Sequence, residues 1–162
     1  MTTTATRMRL VHGKEAPDGG WGDPYETLVP EGEYTVALVS EDRCVLFGRP
    51  TWETVWVILD EGLHHQKLLY CWWRIPKKDE RIRPSLALAE AYAIATERRP
   101  PRDLARRKPS SFLSDSQFAA RVRPVTKNRH GVERPAAANY SRVACLVKRV
   151  AGTPPCLQRQ SR

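Results

Sequence analysis

The stretch WETVWVIL, at residues 52–59, decides the fold because it is dominated by β-branched and aromatic residues. In an extended strand alternate residues point to opposite faces. One face would carry Trp52, Thr54, Trp56 and Ile58, and the other would carry Val55, Val57 and Leu59. Both faces are largely apolar, which predicts a central strand that is covered on both sides.

Further strands are predicted on either side of this stretch. The acid-glycine turn at residues 60–62 leads to a strand at 68–75, which Pro76 ends because proline cannot donate to a ladder. Upstream, residues 33–39 and 44–47 predict two short strands with a turn at 40–42 between them.

The rest of the chain predicts one clear helix and a further strand. Ser85 is the expected N-cap of a helix at residues 86–98, which the prolines at 100 and 101 end. Residues 99–111 form a basic connection, and residues 118–125 alternate as a half-buried strand. The valines of residues 140–150 suit either a helix or a strand, and we favour a helix there.

These elements predict an α+β fold that is mainly β. Short consecutive strands indicate an antiparallel meander, which closes into a small barrel or a curled sheet. The plan is OB-like, with one main helix and a C-terminal helix, although the helix follows the fourth strand instead of the third. We expect a poorly ordered N-terminal arm (1–29), a single β-rich domain (30–151) and a basic tail (152–162).

Charge is divided unevenly along the chain. The formal net charge is +9, yet residues 1–73 hold 6 Lys+Arg against 11 Asp+Glu, whereas the remainder holds 21 against 7. A basic half of this strength predicts attraction to a polyanion such as nucleic acid, an acidic protein or an anionic membrane.

Aromatic and basic residues lie together in the strand at 68–75 and the loop that follows it. Alternation puts Tyr70, Trp72 and Arg74 on one face and Trp73 on the other. Flat rings can stack on bases and cations can neutralise phosphates. The predicted nucleic-acid-binding residues are Lys67, Tyr70, Trp72, Arg74, Lys77, Lys78, Arg81, Arg121 and Arg123.

No pattern of catalytic or metal-ligating residues is found. The four cysteines form no C-x-x-C pair, and Cys44, Cys71 and Cys145 lie in apolar runs, which predicts reduced core cysteines. His64 and His65 occupy a predicted turn, where a polar loop tip is the simpler interpretation. We therefore expect no enzyme activity, no cofactor and no metal. No apolar run could span a membrane and residues 1–9 lack a signal core, so we expect a cytoplasmic protein.

Three short motifs resemble those of a group of small proteins. They are VPEGEY at residues 29–34, the Asp60-Glu61-Gly62 turn and KLLY at residues 67–70. The proteins of that group are encoded by phages, plasmids and integrative elements, and their functions are poorly assigned. Some of them are suspected of binding single-stranded DNA. A glycine usually precedes the lysine in that group, and Gln66 stands there in this chain. The resemblance implies an accessory protein of a mobile genetic element.

The leading hypothesis is a non-enzymatic DNA-binding protein that prefers single-stranded nucleic acid. The alternative is a protein-interaction module that inhibits a host or element-encoded complex, for example a defence system. In that case the acidic N-terminal half would matter as much as the basic half.

Overall fold

The computed structural model describes residues 28–77, 80–135 and 138–152. Most of the predicted N-terminal arm, Lys78 and nearly all of the predicted basic tail lie outside these residues. The strands are β1 (Gly32–Leu46), β2 (Arg49–Ile58), β3 (Leu68–Arg74), β4 (Ser116–Val125) and β5 (Tyr140–Gly152). The helices are α1 (Ala87–Thr96), a 3-10 turn (Leu104–Arg106) and α2 (Ser110–Leu113).

The first two predicted strands are one long strand, β1. No turn forms at residues 40–42, because Ser40 and Asp42 pair with Val55 and Glu53 of β2, beyond a bulge at residues 38–40. The intervening Glu41 receives hydrogen bonds from the backbone and hydroxyl groups of Ser110 (2.6 and 2.7 Å). This distant partner satisfies a carboxylate that the sequence alone assigns to a turn.

The chain reverses instead at Phe47-Gly48, since Leu46 pairs directly with Arg49. Both turn residues have positive φ (51° and 73°), as in the type I′ turn that favours two-residue hairpins. The merging of two predicted strands means that α1 follows the third strand and not the fourth.

The helix prediction at 86–98 is confirmed within two residues at each end, but its cap is not Ser85. The residue before the helix is Leu86, and no side chain caps the helix start. At the other end Glu97 adopts the left-handed conformation (φ 56°), and its N–H donates to the Ala93 carbonyl. The basic connection at 99–111 contains the 3-10 turn and the start of α2.

The helix predicted at 140–150 is wrong, because this segment is strand β5. It pairs antiparallel with β4 from Val125↔Tyr140 to Ser116↔Gly152, with three register shifts. These irregularities put Ser141, Val143 and Leu146 inside, a spacing that departs from strict alternation and imitates a helical pattern. A complete β4 edge supplies hydrogen bonds along the segment, and its β-branched valines fit a pleated surface.

The five strands close into a ring in the order β1-β2-β3-β5-β4, and β4 pairs with β1. All neighbouring pairs are antiparallel except β3 and β5, which run parallel through Tyr70↔Arg142. The core centres on Trp56, whose ring meets Trp73 and Phe118 edge to face at 6.0 and 6.1 Å. Its Nε1 donates to the Thr54 hydroxyl (3.0 Å), so the buried indole is satisfied.

Helix α1 packs against β5 and β3 and contributes Leu88 and three alanines to the core. Cys71 is buried and Cys44 half-buried, but Cys145 is exposed, so the expectation of a core cysteine is wrong for Cys145. In the described part of the chain, no helix is both long enough and apolar enough to cross a membrane.

Candidate nucleic-acid interface

The outer face of β3 carries a stacked pair of aromatic rings. Alternation along β3 buries Trp73 in the core and leaves Tyr70 and Trp72 half-buried on the outside. The two outer rings have centroids 6.0 Å apart and an interplanar angle of 17°. The prediction that Tyr70 and Trp72 share a face is therefore confirmed.

A third aromatic ring extends this pair across the ring of strands. Tyr140, the first residue of β5, meets Trp72 edge to face at 5.3 Å. The guanidinium of Arg134 lies 5.2 Å from the Tyr140 ring centroid, and its Nε donates to the Ala138 carbonyl (3.0 Å). We call Tyr70, Trp72 and Tyr140 the aromatic strip.

The β1–β2 turn meets the β4–β5 loop, and the same loop contacts the aromatic strip through Arg134. Phe47, at the hairpin tip, is 73% exposed, and the guanidinium of Arg129 lies 5.8 Å from its ring centroid. Asn128 shapes this loop, because its Oδ1 accepts the N–H groups of His130 and Val132 (2.8 and 3.0 Å). An exposed aromatic side chain is thus held beside an ordered basic loop.

Two arginines lie next to the strip, on β5 and β4. Arg142 of β5 is paired with Tyr70 of β3 and also with Arg123 of β4. Residues opposite one another in register share a face, so Tyr70, Arg142 and Arg123 form one row across three strands. The Nε of Arg142 is buried and has no hydrogen-bond partner among the described residues. Arg121 and Arg123 are both exposed on β4, as the shared-face prediction required.

Carboxylates lie on the β2 side of the strip. Trp72 Nε1 donates to Glu53 Oε2 (3.1 Å), and Asp42 is the register partner of Glu53 on β1. Burial, and to a smaller extent the Glu53 charge, raise the pKa of Tyr70. The strip therefore separates an acidic side, on β1 and β2, from a basic side on β5 and β4.

Arg74, a predicted phosphate contact, forms an ion pair within the protein. Both of its terminal nitrogens donate to Glu80 (2.8 and 2.6 Å). The hydrogen bond from Arg74, together with one from the Lys77 backbone, lowers the pKa of Glu80 to about 2. The charge of Arg74 is thus largely neutralised at the end of β3.

The other predicted cations are dispersed. Lys67 lies at the start of β3, in the turn region at the opposite end of the strand from Arg74. Lys77 is exposed, and Arg81 is exposed in a separate cleft at the exit of β3. The structure therefore brings Tyr70 and Trp72 close to Arg123, and leaves Lys67, Lys77 and Arg81 outside this cluster.

Five residues of the assembled surface are absent from the predicted set of nucleic-acid-binding residues: Phe47, Arg129, Arg134, Tyr140 and Arg142. An alternating signal was available at Tyr140-Ser141-Arg142, but the helical interpretation of that segment concealed it. The contact between Arg129 and Phe47 could not be predicted from neighbouring residues, because it forms only when the strands close into a ring.

The cysteine and histidine side chains described next are the groups that could take part in catalysis or metal binding. Burial raises the pKa of the Cys71 thiol to about 12, so it stays protonated. His65 Nδ1 lies 3.2 Å from the Asp60 carbonyl oxygen, and the ring of His64 meets Tyr34 edge to face. In the described residues no three His, Cys, Asp or Glu side chains are grouped so as to hold a metal ion.

Comparison of the chain with protein-family models, curated proteins and solved structures gave no match.

Proposed function

We propose that this chain is an OB-like barrel that binds single-stranded nucleic acid, with DNA as the favoured partner. The strand order supports the OB-like assignment, as does the parallel pairing of β3 with β5. The position of α1 between β3 and β4 also matches that plan. OB-folds bind oligonucleotides on the face of strands 2 and 3 and through the loops that join strands 1–2 and 4–5.

Part of the surface lies at those locations in this chain, and the rest, Tyr140, Arg142 and Arg123, lies on the adjoining strands β5 and β4. Tyr70 and Trp72 are on β3, Phe47 is in the β1–β2 turn, and Arg129 and Arg134 are in the β4–β5 loop. The surface combines flat rings for bases with guanidinium groups that can contact phosphates or stack on bases.

The observation that carries the proposal is the row formed by Tyr70, Arg142 and Arg123. Like charges directly opposite one another on a sheet are destabilising, and here two arginines occupy opposite positions. A phosphate backbone placed between them would remove this repulsion. It would also lie away from Glu53 and Asp42, which occupy the other side of the strip.

The same geometry favours single strands over duplexes. Stacking on Trp72 requires a base whose face is accessible, and bases inside a duplex are already stacked on their neighbours. Stacking accepts any base, so we expect little sequence preference. The proposed accessory role in a mobile genetic element is supported by the resemblance of residues 29–34, 60–62 and 67–70 to proteins of such elements.

The test is fluorescence anisotropy with labelled single-stranded DNA, duplex DNA and RNA, at about 50 and 200 mM salt. We expect the tightest binding to single-stranded DNA and a steep loss of affinity at the higher salt. The double variant Arg123→Gln/Arg142→Gln should lose most of this affinity. Arg102→Gln/Arg106→Gln removes the same charge from exposed positions outside the row and serves as the matched control.

Failure of all three oligonucleotides to bind at low salt would contradict the proposal.

One observation favours a second function, docking onto a protein partner. Val39, Val45 and Phe47 are 47%, 60% and 73% exposed on and beside β1, which is a considerable apolar surface for one strand. Protein binding that persists at high salt would support that function.

A further inference from the structure

A cleft of about 380 Å³ lies between the segment that leaves β3 and the segment that follows α1. Three arginines line it, Arg81, Arg83 and Arg99, together with the apolar side chains of Ile82, Pro84 and Pro100. None of the described residues that line the cleft is acidic. We call it the arginine cleft.

The three guanidinium groups of the cleft have no partner in the part of the chain that the structure describes. None has a hydrogen bond or an ion pair with any of the described residues, in contrast to Arg74 and Arg107, which are paired with carboxylates. Three positive charges around one concavity, none paired with a carboxylate of the described residues, repel one another and attract an anion. Because a guanidinium presents its donors as a planar fork, the anion that it fits best is a phosphate or carboxylate.

The backbone that carries these arginines is held in place. Glu80 binds both Arg74 and the Lys77 backbone N–H, which fixes the start of the segment. Ile82 packs against the core, and the Leu86 N–H donates to the Arg83 carbonyl (3.0 Å). A cleft whose walls are already ordered loses little entropy when it binds a ligand.

The cleft begins where the aromatic strip ends. Arg74 follows Trp72 by two residues on the same outer face of β3, and its ion-pair partner Glu80 directly precedes Arg81. Building on the proposed function, we infer that the arginine cleft binds phosphate groups of the same single strand that stacks on the strip. Short strands then occupy the strip alone, whereas longer strands reach both places.

The experiment compares strands of two lengths, about 5 and about 15 thymidines, within the range bound by OB-folds. The triple variant Arg81→Gln/Arg83→Gln/Arg99→Gln should weaken binding of the longer strand about tenfold and reduce its salt dependence, because phosphate contacts are lost. Binding of the shorter strand should change little. The control variant Arg102→Gln/Arg106→Gln/Lys108→Gln removes three charges from exposed positions that do not line the cleft.

Each outcome has a distinct meaning. If the wild-type protein binds neither strand, the proposed function itself fails. If it binds both but the two triple variants weaken the longer strand equally, the effect is general electrostatics and the cleft assignment is overturned. A third arm titrates pyrophosphate in the absence of DNA. The wild-type protein could bind pyrophosphate while the cleft variant does not, and the cleft variant could still bind both DNA strands normally. That result would assign the cleft to a free anion and overturn its assignment to the phosphates of DNA.

Discussion

The indole of Trp72 stacks on the phenol ring of Tyr70, with centroids 6.0 Å apart, while its Nε1 donates to Glu53 Oε2 (3.1 Å). Two contacts thus fix an indole that is only half-buried, on the outer face of a strand. An ordered, accessible ring is what a nucleic-acid base needs for stacking, because little side-chain freedom is lost on binding.

Replacement of Trp72 by alanine should weaken single-stranded DNA binding by about 1–3 kcal/mol, roughly 5- to 150-fold, the usual cost of losing one base–aromatic stack. The fold should persist, because the indole lies outside the core. Anisotropy titrations give the affinity, and circular dichroism checks the fold.

Trp73→Phe is the matched control for this substitution. Trp73 is the next residue on β3, but it is 4% exposed and its ring contacts Trp56 in the core. The control should lower the free energy of unfolding and leave the affinity of the folded protein unchanged. Equal losses of affinity in both variants would argue against stacking on the outer face.

Glu53→Gln should strengthen binding of single-stranded DNA a few-fold at low salt. The substitution removes a negative charge beside the strip, and the amide oxygen can still accept the hydrogen bond from Trp72. Screening by salt should reduce the gain. Glu61→Gln makes the same charge change in the exposed β2–β3 turn. An equal gain in that control would mean that net charge, and not proximity to the strip, determines affinity.

The ion pair of Arg74 with Glu80 should make stability depend on pH in the acid range. Arg74 holds the pKa of the Glu80 carboxyl at about 2, below its ordinary value of 4.5. A carboxyl whose pKa is lower in the folded state stabilises the fold above pH 4.5, and this contribution is lost as the pH falls towards 2.

Thermal unfolding of the wild type and Glu80→Gln at several pH values tests this. Wild type should have the higher Tm at neutral pH, by a small margin because the pair is partly exposed to solvent. The difference in Tm should shrink as the pH is lowered from 4.5 towards 2. A margin that does not change with pH would contradict the assignment.

The strand that carries the stacked pair could be predicted from sequence, because its alternation depends only on local residues. Trp73 had to face the core if Tyr70 and Trp72 faced outward, and the structure has that arrangement. Strand β5 could not be predicted in the same way. Its bulges break the alternation, and only the edge of β4, fifteen or more residues earlier, supplies its partners.

Other differences have the same physical origin, in contacts that are distant along the chain. The polar residues at 40–42 suit a turn until Ser110 provides a partner for Glu41. Gln66, in the β2–β3 turn, adopts φ 63°, the left-handed conformation that glycine adopts without strain, and no local signal in the sequence indicates this.

The strained residue of the β1–β2 turn yields a prediction in which stability and binding change in opposite directions. Phe47 has φ 51°, which costs a residue with a side chain about 1–2 kcal/mol, and it precedes Gly48. Asn-Gly is the preferred pair in a type I′ turn, so Phe47→Asn should raise the free energy of unfolding by about 1 kcal/mol. The same substitution removes the exposed ring beside Arg129 and should weaken single-stranded DNA binding several-fold.

Gln66→Gly is the control that separates the two effects. It relieves a similar positive φ at the β2–β3 turn, away from the strip, and should raise stability without a change in affinity. Chemical denaturation and anisotropy titration of both variants give the two quantities. If Phe47→Asn were more stable than wild type and bound DNA equally well, the hairpin tip would not belong to the interface. If both variants lost affinity equally, a general effect of changing the hairpin turns, and not the loss of the ring, would be the cause.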